Sequence, residues 1–161
     1  MNVASMRTMG YNTHEFHALS GVVCTAGTAE SGTDEVYQAG VEIDRQSLQG
    51  LFLSGKVIIN ALVAGLGGED TAQITVKIED AAAEGGDYEN AVEYDLTVFD
   101  ANGEFVLSQN VNLAQFRRWI RVSAKCAFGA TTTDTVRIAA ILQVGGHDEL
   151  PVTATPAEEE S

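Results

Sequence analysis

A strict alternation of apolar and polar side chains over residues 71–79 is the feature that most constrains how this chain can fold. The apolar members of this stretch are Ala72, Ile74, Val76 and Ile78, and polar residues separate them. Neighbouring side chains of an extended strand point to opposite faces, so the pattern predicts a strand with one buried and one hydrated face. A helix would mix the two kinds of side chain around its surface.

The same two-residue period recurs in other stretches, which are 91–99, 118–128 and 135–144, with weaker examples at 35–41 and 105–111. Their expected inward-facing side chains are Val92, Tyr94, Leu96, Val98, Ile120, Val122, Ala124, Cys126, Phe128, Val136, Ile138, Ala140, Leu142 and Val144. Residues 56–64 are apolar on both faces, and Ala139 and Ile141 add apolar side chains to the second face of 135–144. These two strands are therefore expected to be central and covered on both sides.

The connecting segments carry turn residues and no helical pattern. Asn102-Gly103 supplies the backbone conformations of a tight turn, so we expect a hairpin between the strands on either side of it. No window longer than about ten residues has the period of an amphipathic helix. Seven or eight short strands with frequent turns predict an all-β fold, an antiparallel β-sandwich or barrel.

Composition divides the chain into three parts. Residues 1–34 are rich in Gly, Ser and Thr with scattered apolar residues, which predicts an extended N-terminal arm. Residues 35–146 hold the strand patterns and are expected to form the β-sandwich domain. Residues 147–161 contain two prolines and end in a run of glutamates, so we expect a flexible acidic C-terminal tail.

The charge of the chain excludes several kinds of partner. There are 23 acidic residues against 9 Lys and Arg, which gives a net charge of −14. Nucleic acids and anionic membranes are bound through cationic surfaces, so we expect neither as a partner. The longest nearly apolar run, 57–66, is too short to span a bilayer, and the first 17 residues lack the apolar core of a secretory signal.

No pattern predicts a catalytic, cofactor or metal site. His14 and His17 are three residues apart without a helical pattern, whereas zinc-protease histidines are four apart on a helix, and His147 stands at the start of the tail. Cys24 and Cys126 are expected to be reduced thiols, with Cys126 packed inside. The acidic loop residues do not have the spacing of an EF-hand, so a solvated loop is favoured over a calcium site; they are Glu79, Asp80, Glu84, Asp87 and Glu89.

One strand concentrates the residues that interfaces use most. Alternation places on one face of it the side chains of Arg117, Trp119, Arg121 and Lys125, with Arg118 beside them. Arg and Trp carry much of the binding energy of protein interfaces, so this face is a candidate contact with an acidic neighbour or with another copy. Tyr11 and Phe16 of the predicted arm belong to the same candidate interface. The alternative, which is favoured, is that these cations pair with Glu or Asp across strands within one subunit.

Two stretches resemble a known pattern. The first is 39–59, with Ile-Asp-Arg at 43–45; the second starts with Phe-Arg-Arg-Trp at 116–119 and runs through Thr-Asp-Thr at 133–135 and Gly-Gly at 145–146 to Leu-Pro at 150–151. They are similar to head decoration, or cement, proteins of tailed bacteriophages, and the likeness covers about residues 35–151.

This resemblance implies a jelly-roll β-sandwich of about eight strands that is not an enzyme and holds no cofactor. It also implies a homotrimer on the outside of a capsid, bound to the major capsid protein after synthesis in the host cytoplasm. The negative charge agrees with the outer surface, because the inner surface would meet like-charged DNA. The alternatives are a carbohydrate-binding β-sandwich, a metal-dependent enzyme of the cupin type, and another phage part such as a tail or adaptor protein.

Overall fold

The computed structural model describes residues 14–27, 35–46, 52–68, 70–129 and 134–147. These residues form eight β-strands and no helix. The strands are β1 (His14–Thr25), β2 (Gln38–Asp44), β3 (Phe52–Ala64), β4 (Ala72–Ala81), β5 (Asn90–Phe99), β6 (Gly103–Asn112), β7 (Trp119–Phe128) and β8 (Thr135–His147). The predicted all-β fold is confirmed.

The strands pair into two antiparallel sheets of four. One sheet has the order β1-β8-β3-β6 and the other has the order β2-β7-β4-β5. The first strand therefore pairs with the last, the second with the seventh, the third with the sixth and the fourth with the fifth. This is the topology of a jelly roll, in which a long antiparallel hairpin is folded over into two facing sheets.

The two sheets enclose a continuous apolar core. The predicted inward faces of β4, β7 and β8 are confirmed, because their side chains have 0–3% of their surface exposed apart from the partly buried Phe128 at the end of β7. Their buried members are Ala72, Ile74, Val76, Ile78, Ile120, Val122, Ala124, Cys126, Val136, Ile138, Ala140, Leu142 and Val144. The two-residue period is thus sufficient to predict which side of these strands is buried.

Strand β5 departs from the predicted alternation at its end. Val92, Tyr94 and Leu96 pack against the core as expected, but Val98 is half exposed and Phe99 is buried. The register of β5 against β4 shifts between Gln73 and Thr75, so an extra residue of β5 is accommodated there. This bulge reverses the inward and outward positions beyond it, and the prediction of an inward Val98 is wrong for that reason.

The predicted arm is corrected over residues 14–25. This segment forms β1, which pairs with β8 along its whole length and contributes the buried Ala18, Leu19 and Cys24 to the core. Its register is irregular between His17 and Val22, and such shifts hide a two-residue period from inspection of the sequence. Residues 1–13, 28–34 and 148–161 lie outside the described part of the chain, so the remaining arm and the acidic tail stay predictions.

The Asn102-Gly103 turn joins two different sheets. β5 and β6 do not pair with one another, so the expectation of a tight hairpin is wrong. The Asn102 side chain instead binds the neighbouring loop, since its Nδ2 donates to the carbonyl oxygen of Leu66 and its Oδ1 accepts from the Leu66 N–H, both at 2.9 Å. The turn closes one end of the sandwich.

Candidate interaction surfaces

The predicted Arg and Trp face of β7 lies on the outer side of the β2-β7-β4-β5 sheet. Arg121 of this face has an acidic partner in the same chain, since it donates through Nε to Glu79 at 2.7 Å. Lys77 of the neighbouring β4 approaches the same carboxylate, with Nζ 2.6 Å from its other oxygen. Burial opposes ionisation of Glu79, but the hydrogen bonds from Lys77 and Arg121 outweigh it and lower the pKa of this carboxyl group. The intramolecular alternative therefore describes Arg121.

Two tyrosines cover the charged side chains on this sheet face. The Arg121 guanidinium carbon lies 4.0 Å from the ring centre of Tyr88, while Nζ of Lys77 and Nζ of Lys125 lie 4.3 and 5.0 Å from that of Tyr37. These distances are those of cation–π contacts. Burial raises the pKa of the Tyr88 hydroxyl to about 12, and the neighbouring Glu42 carboxylate acts in the same direction. The centre of this sheet face is thus closed by its own side chains.

The second surface feature is a network of arginines at one end of the sandwich. Arg117 donates from its backbone N–H and its Nε to the two Asp80 oxygens, and its Nη1 lies 3.1 Å from Glu89. Arg118 forms two hydrogen bonds with Asp44, at 2.9 and 2.7 Å, and these lower the pKa of the Asp44 carboxyl group. Both arginines are paired within the chain.

Arg45 is the fully buried member of this network. Its guanidinium donates to the backbone carbonyl oxygens of Phe52 and Phe116, and to that of Arg117 at 3.0 Å. Burial lowers the pKa of this guanidinium, and the negative charge of Asp80 opposes the shift. The side chain joins three separate segments of backbone, which stabilises the loop that leads into β7.

The network joins the two stretches of sequence that resemble phage head decoration proteins. Residues 43–45 end β2, and residues 116–118 precede β7, where the Arg45 N–H donates to the Arg118 carbonyl oxygen at 3.0 Å. Ile43 and Phe116 are buried in the core below. The arginines of both motifs therefore have structural partners in this fold. Sequence analysis did not find the role of Arg45, because an arginine is rarely buried completely and its carbonyl partners leave no side-chain signal.

The remaining predicted interface residues are distributed differently. Trp119 is partly exposed on the outer face, with the Arg118 guanidinium carbon 5.6 Å from its ring centre. Phe16 packs inward against Phe52, with ring centres 6.2 Å apart, because β1 belongs to the sandwich. Tyr11 lies outside the described residues. A contact of any of these residues with a partner stays a prediction.

The possible metal ligands are dispersed over the described parts of the molecule. His14 and His17 occupy opposite faces of β1; the first lies 5.6 Å from the Phe52 ring, and the second is 2.9 Å from the Ser20 hydroxyl. Glu79 and Asp80 of the acidic loop region are bonded to arginines. Among residues 14–27, 35–46, 52–68, 70–129 and 134–147, no three or more His, Cys, Asp or Glu side chains are grouped so that they could hold a metal ion. In the same ranges no helix is long and apolar enough to cross a membrane.

A third surface, which we call the apolar face, lies on the outer side of the β1-β8-β3-β6 sheet. Its exposed members are Val23 on β1, Leu62 on β3, Val106 on β6 and Ile141 on β8, and Val106 has 73% of its surface exposed. The central β3 and β8 are thus uncovered on this side in the described part of the chain, contrary to the expectation from 56–64 and 135–144. The sequence indicated this surface through the apolar residues on both faces of 56–64 and 135–144.

The apolar face carries little net charge. Lys56 and Arg137 lie on it, as do Glu15 and Glu104, so its cations and anions balance. Arg137 and Glu104 flank Leu62 on its two sides in the strand register. This balance sets the apolar face apart within a protein of net charge −14, because two such faces can approach without strong repulsion.

Comparison with solved structures finds similar folds in chains of a virus and in a bacterial protein. A chain in the structure of infectious bursal disease virus strain Gx is similar over 86% of this chain and 33% of its own length, with a TM-score of 0.52 and 8% identity. The VP2 subviral particle of infectious bursal disease virus matches over 84% of this chain and 32% of its own, with a TM-score of 0.46 and 10% identity. PorU from Porphyromonas gingivalis matches over 85% of this chain and 13% of its own, with a TM-score of 0.44 and 10% identity.

The likeness to the virus strain Gx structure agrees with the β-sandwich of this chain. At 8% identity the likeness to the virus strain Gx structure concerns the β-sandwich alone, and this chain spans about a third of that protein. No protein-family model and no curated protein sequence matches the chain.

Proposed function

We propose that this protein is a structural, non-enzymatic component of a virion, which binds the outside of a bacteriophage capsid and stabilises it. The observation that carries the proposal is the jelly-roll strand order of the chain. A chain of a virus structure is similar in fold over 86% of the present chain, which supports it. The resemblance of residues 35–151 to phage head decoration proteins points in the same direction. The partners would be the major capsid protein and other copies of this chain, in a trimer.

The surfaces of the molecule support an assembly role. On one sheet, Arg121 and Lys77 at the centre of the outer face are paired within the chain and covered by tyrosines. Trp119 at the end of β7 stays partly exposed on this face. On the other sheet, the apolar face exposes four large side chains to water. Exposed large apolar side chains on one face favour a protein interaction site, although the polar Asn60, Glu104 and Arg137 stand between those of this face. We therefore propose that copies of the chain associate through the apolar face.

The electrostatics favour the outer surface of a capsid over the inner one. A protein with a net charge of −14 is repelled by packaged DNA, and the same charge keeps it soluble at high concentration before assembly. Synthesis in the host cytoplasm followed by attachment to the capsid agrees with two cysteines that form no disulfide in this fold. A tail or adaptor position remains the second possibility within the same class.

The proposal is tested with purified chain and phage heads prepared without it. We expect the chain to sediment with expanded heads at a fixed ratio to the major capsid protein and to raise the temperature at which the heads release DNA. A chain that stays in the supernatant at saturating concentration would contradict a decoration role. Binding to isolated tails instead of heads would move the proposal to a tail component.

The apolar face is tested with a matched pair of variants on one strand. Val106→Asp and Ser108→Asp add the same charge to exposed outward positions of β6. We expect Val106→Asp to abolish the trimer measured by sedimentation equilibrium, whereas Ser108→Asp, which replaces an exposed side chain that is already polar, has a smaller effect. Equal trimer formation by both variants and the unchanged protein would place the copy contact elsewhere.

A further inference from the structure

The two cysteines lie on different sheets and meet inside the core. Cys24 is on β1, Cys126 is on β7, and both side chains are completely buried. Their side chains are hydrogen-bonded to each other, and no disulfide joins them. Sequence analysis treated them as two separate buried thiols, because a separation of about 100 residues along the chain contains no information on distance in space.

The close approach of β1 to the opposite sheet explains this contact. Gly40 of β2 lies between the carbonyl oxygens of Ala18 on β1 and Val122 on β7, where a methyl group would overlap both oxygens. Further along, the Glu35 N–H donates to the Cys126 carbonyl oxygen, and the Ala26 N–H donates to that of Asp134, each at 2.8 Å. The backbone on both sides of the thiols is therefore held in position at this edge of the sandwich.

We propose that Cys24 and Cys126 are an oxidation site, at which a low-molecular-weight disulfide converts the two thiols into a disulfide bond that joins the two sheets. The Cys24 thiolate attacks one sulfur of the small disulfide and releases one small thiol, which leaves a mixed disulfide on Cys24. The Cys126 thiolate then attacks the Cys24 sulfur and releases the second small thiol. Two protein thiols are oxidised, one small disulfide is reduced to two thiols, and no other reactant is needed.

The position of Cys24 gives a route for the oxidant. β1 is an edge strand of its sheet, and its pairing with β8 is interrupted by register shifts between His17 and Val22. Such an edge opens locally at a lower free energy than the central strands β3 and β8. The hydrogen bond from Cys126 lowers the pKa of the Cys24 thiol, although burial opposes this, and thus favours Cys24 as the attacking group.

The timing of this reaction rests on the proposed function. Thiols stay reduced in the cytoplasm, where small thiols are abundant, and are oxidised after release into an oxidising environment. A virion protein makes this transition when particles leave the host. The disulfide would then fasten the edge strand β1 to the opposite sheet when the particle has to persist outside a cell. Closing a loop of about 100 residues strongly restricts the unfolded chain.

The proposal is tested on the isolated full chain, which is oxidised without denaturant. Reduced, folded protein is incubated with oxidised glutathione. The chain is then unfolded in urea so that iodoacetamide reaches any remaining thiols, and the intact mass is measured. We expect a mass about 2 Da below that of the reduced chain, no iodoacetamide label and no glutathione adduct. We also expect the melting temperature to rise by about 10 °C and to return to its original value after reduction. Two labelled thiols, or stable glutathione adducts on the folded chain, would overturn the proposal.

The variant Cys126→Ala separates the two steps of the reaction. Without the second thiol we expect the Cys24 glutathione adduct to accumulate. We also expect that treatment with oxidised glutathione does not raise the melting temperature of this variant by about 10 °C. Should this variant fail to fold, Cys126→Ser supplies the same measurement. Neither experiment involves capsids, so a chain that binds heads but keeps two free thiols would overturn the oxidation site and leave the proposed function in place.

Discussion

The backbone N–H and the side-chain Nε of Arg117 donate to the two carboxylate oxygens of Asp80, at 2.7 and 2.8 Å. Asp80 is completely buried, and its charge also acts on the buried guanidinium of Arg45. One carboxylate on β4 thus holds the loop that leads into β7. The two residues are 37 positions apart in the chain. Sequence analysis favoured pairing of the arginines within the subunit, but it did not identify Asp80 as the partner of Arg117.

Replacement of this carboxylate is predicted to destabilise the fold. Asp80→Asn removes the charge and turns one acceptor into a donor that faces the donors of Arg117, which costs about 2–4 kcal/mol of unfolding free energy. Asp87→Asn makes the same chemical change at an exposed position of the adjoining loop and is expected to alter stability by less than about 0.5 kcal/mol. Urea unfolding of both variants measures the difference. Equal midpoints for the two would show that the Asp80 contacts contribute nothing to stability.

A second prediction concerns the contact between the edges of the two sheets. In Gly40→Ala, the added methyl group overlaps the carbonyl oxygens of Ala18 and Val122, so backbone must move. We expect a loss of about 3 kcal/mol, at the upper end of overpacking costs. Gly67→Ala is the control, because a methyl group there meets no atom within 4 Å. A thermal melt that is unchanged by Gly40→Ala would contradict the close approach of β1 to β2.

The parts of the fold that the sequence predicted are those governed by a regular period. Ile74 on β4 and Ile138 on β8 are buried as the alternation requires. The errors fall where a register shift interrupts the period: the bulge beside Thr75 turns Val98 outward, and the irregular pairing of β1 made an edge strand resemble an arm. Pairing between strands that are distant in the chain leaves no trace in local patterns, so the jelly-roll order came from the resemblance.

The candidate surfaces were likewise predicted only in part from the sequence. The face of β7 that bears Arg121 and Lys125 follows from alternation, but the tyrosines that cover it come from a loop and from the segment before β2. Their positions depend on tertiary contacts that a single sequence does not contain. The Cys24–Cys126 contact belongs to the same category, since it joins strands of opposite sheets. Residue types indicated which side chains could act, and only the fold showed which of them meet.

The core of β4 is tested by a pair of substitutions at one position. Val76→Ile keeps a β-branched apolar side chain at a completely buried site and is expected to change stability by less than about 1.5 kcal/mol. Val76→Asp buries an unpaired charge and is expected to unfold the domain. Far-UV circular dichroism and thermal melting distinguish the two. A folded, normally melting Val76→Asp protein would show that the register of β4 is wrong.

The pH dependence of stability is predicted from Glu79. Its pKa in the folded protein is lowered below the ordinary glutamate value of about 4.3, and burial is outweighed by the hydrogen bonds from Lys77 and Arg121. Its contribution is therefore complete above the ordinary value, decreases as the pH falls towards the lowered pKa, and is absent below it. We expect the stability gap between the unchanged protein and Glu79→Gln to narrow as the pH falls from about 7 to about 3. A gap in urea midpoints that stays constant over this range would contradict the ion pairs.

The role of Trp119 in assembly is the last prediction. Its ring is partly exposed on the outer face of the β2-β7-β4-β5 sheet and is not part of the core. We therefore expect Trp119→Ala to leave the melting temperature nearly unchanged and to weaken binding to phage heads about thirtyfold, which corresponds to an interface residue worth about 2 kcal/mol. Trp119→Phe retains a ring and should recover part of the binding. A large fall in melting temperature would assign Trp119 a structural role, and unchanged binding by a folded Trp119→Ala protein would remove this residue from the interface.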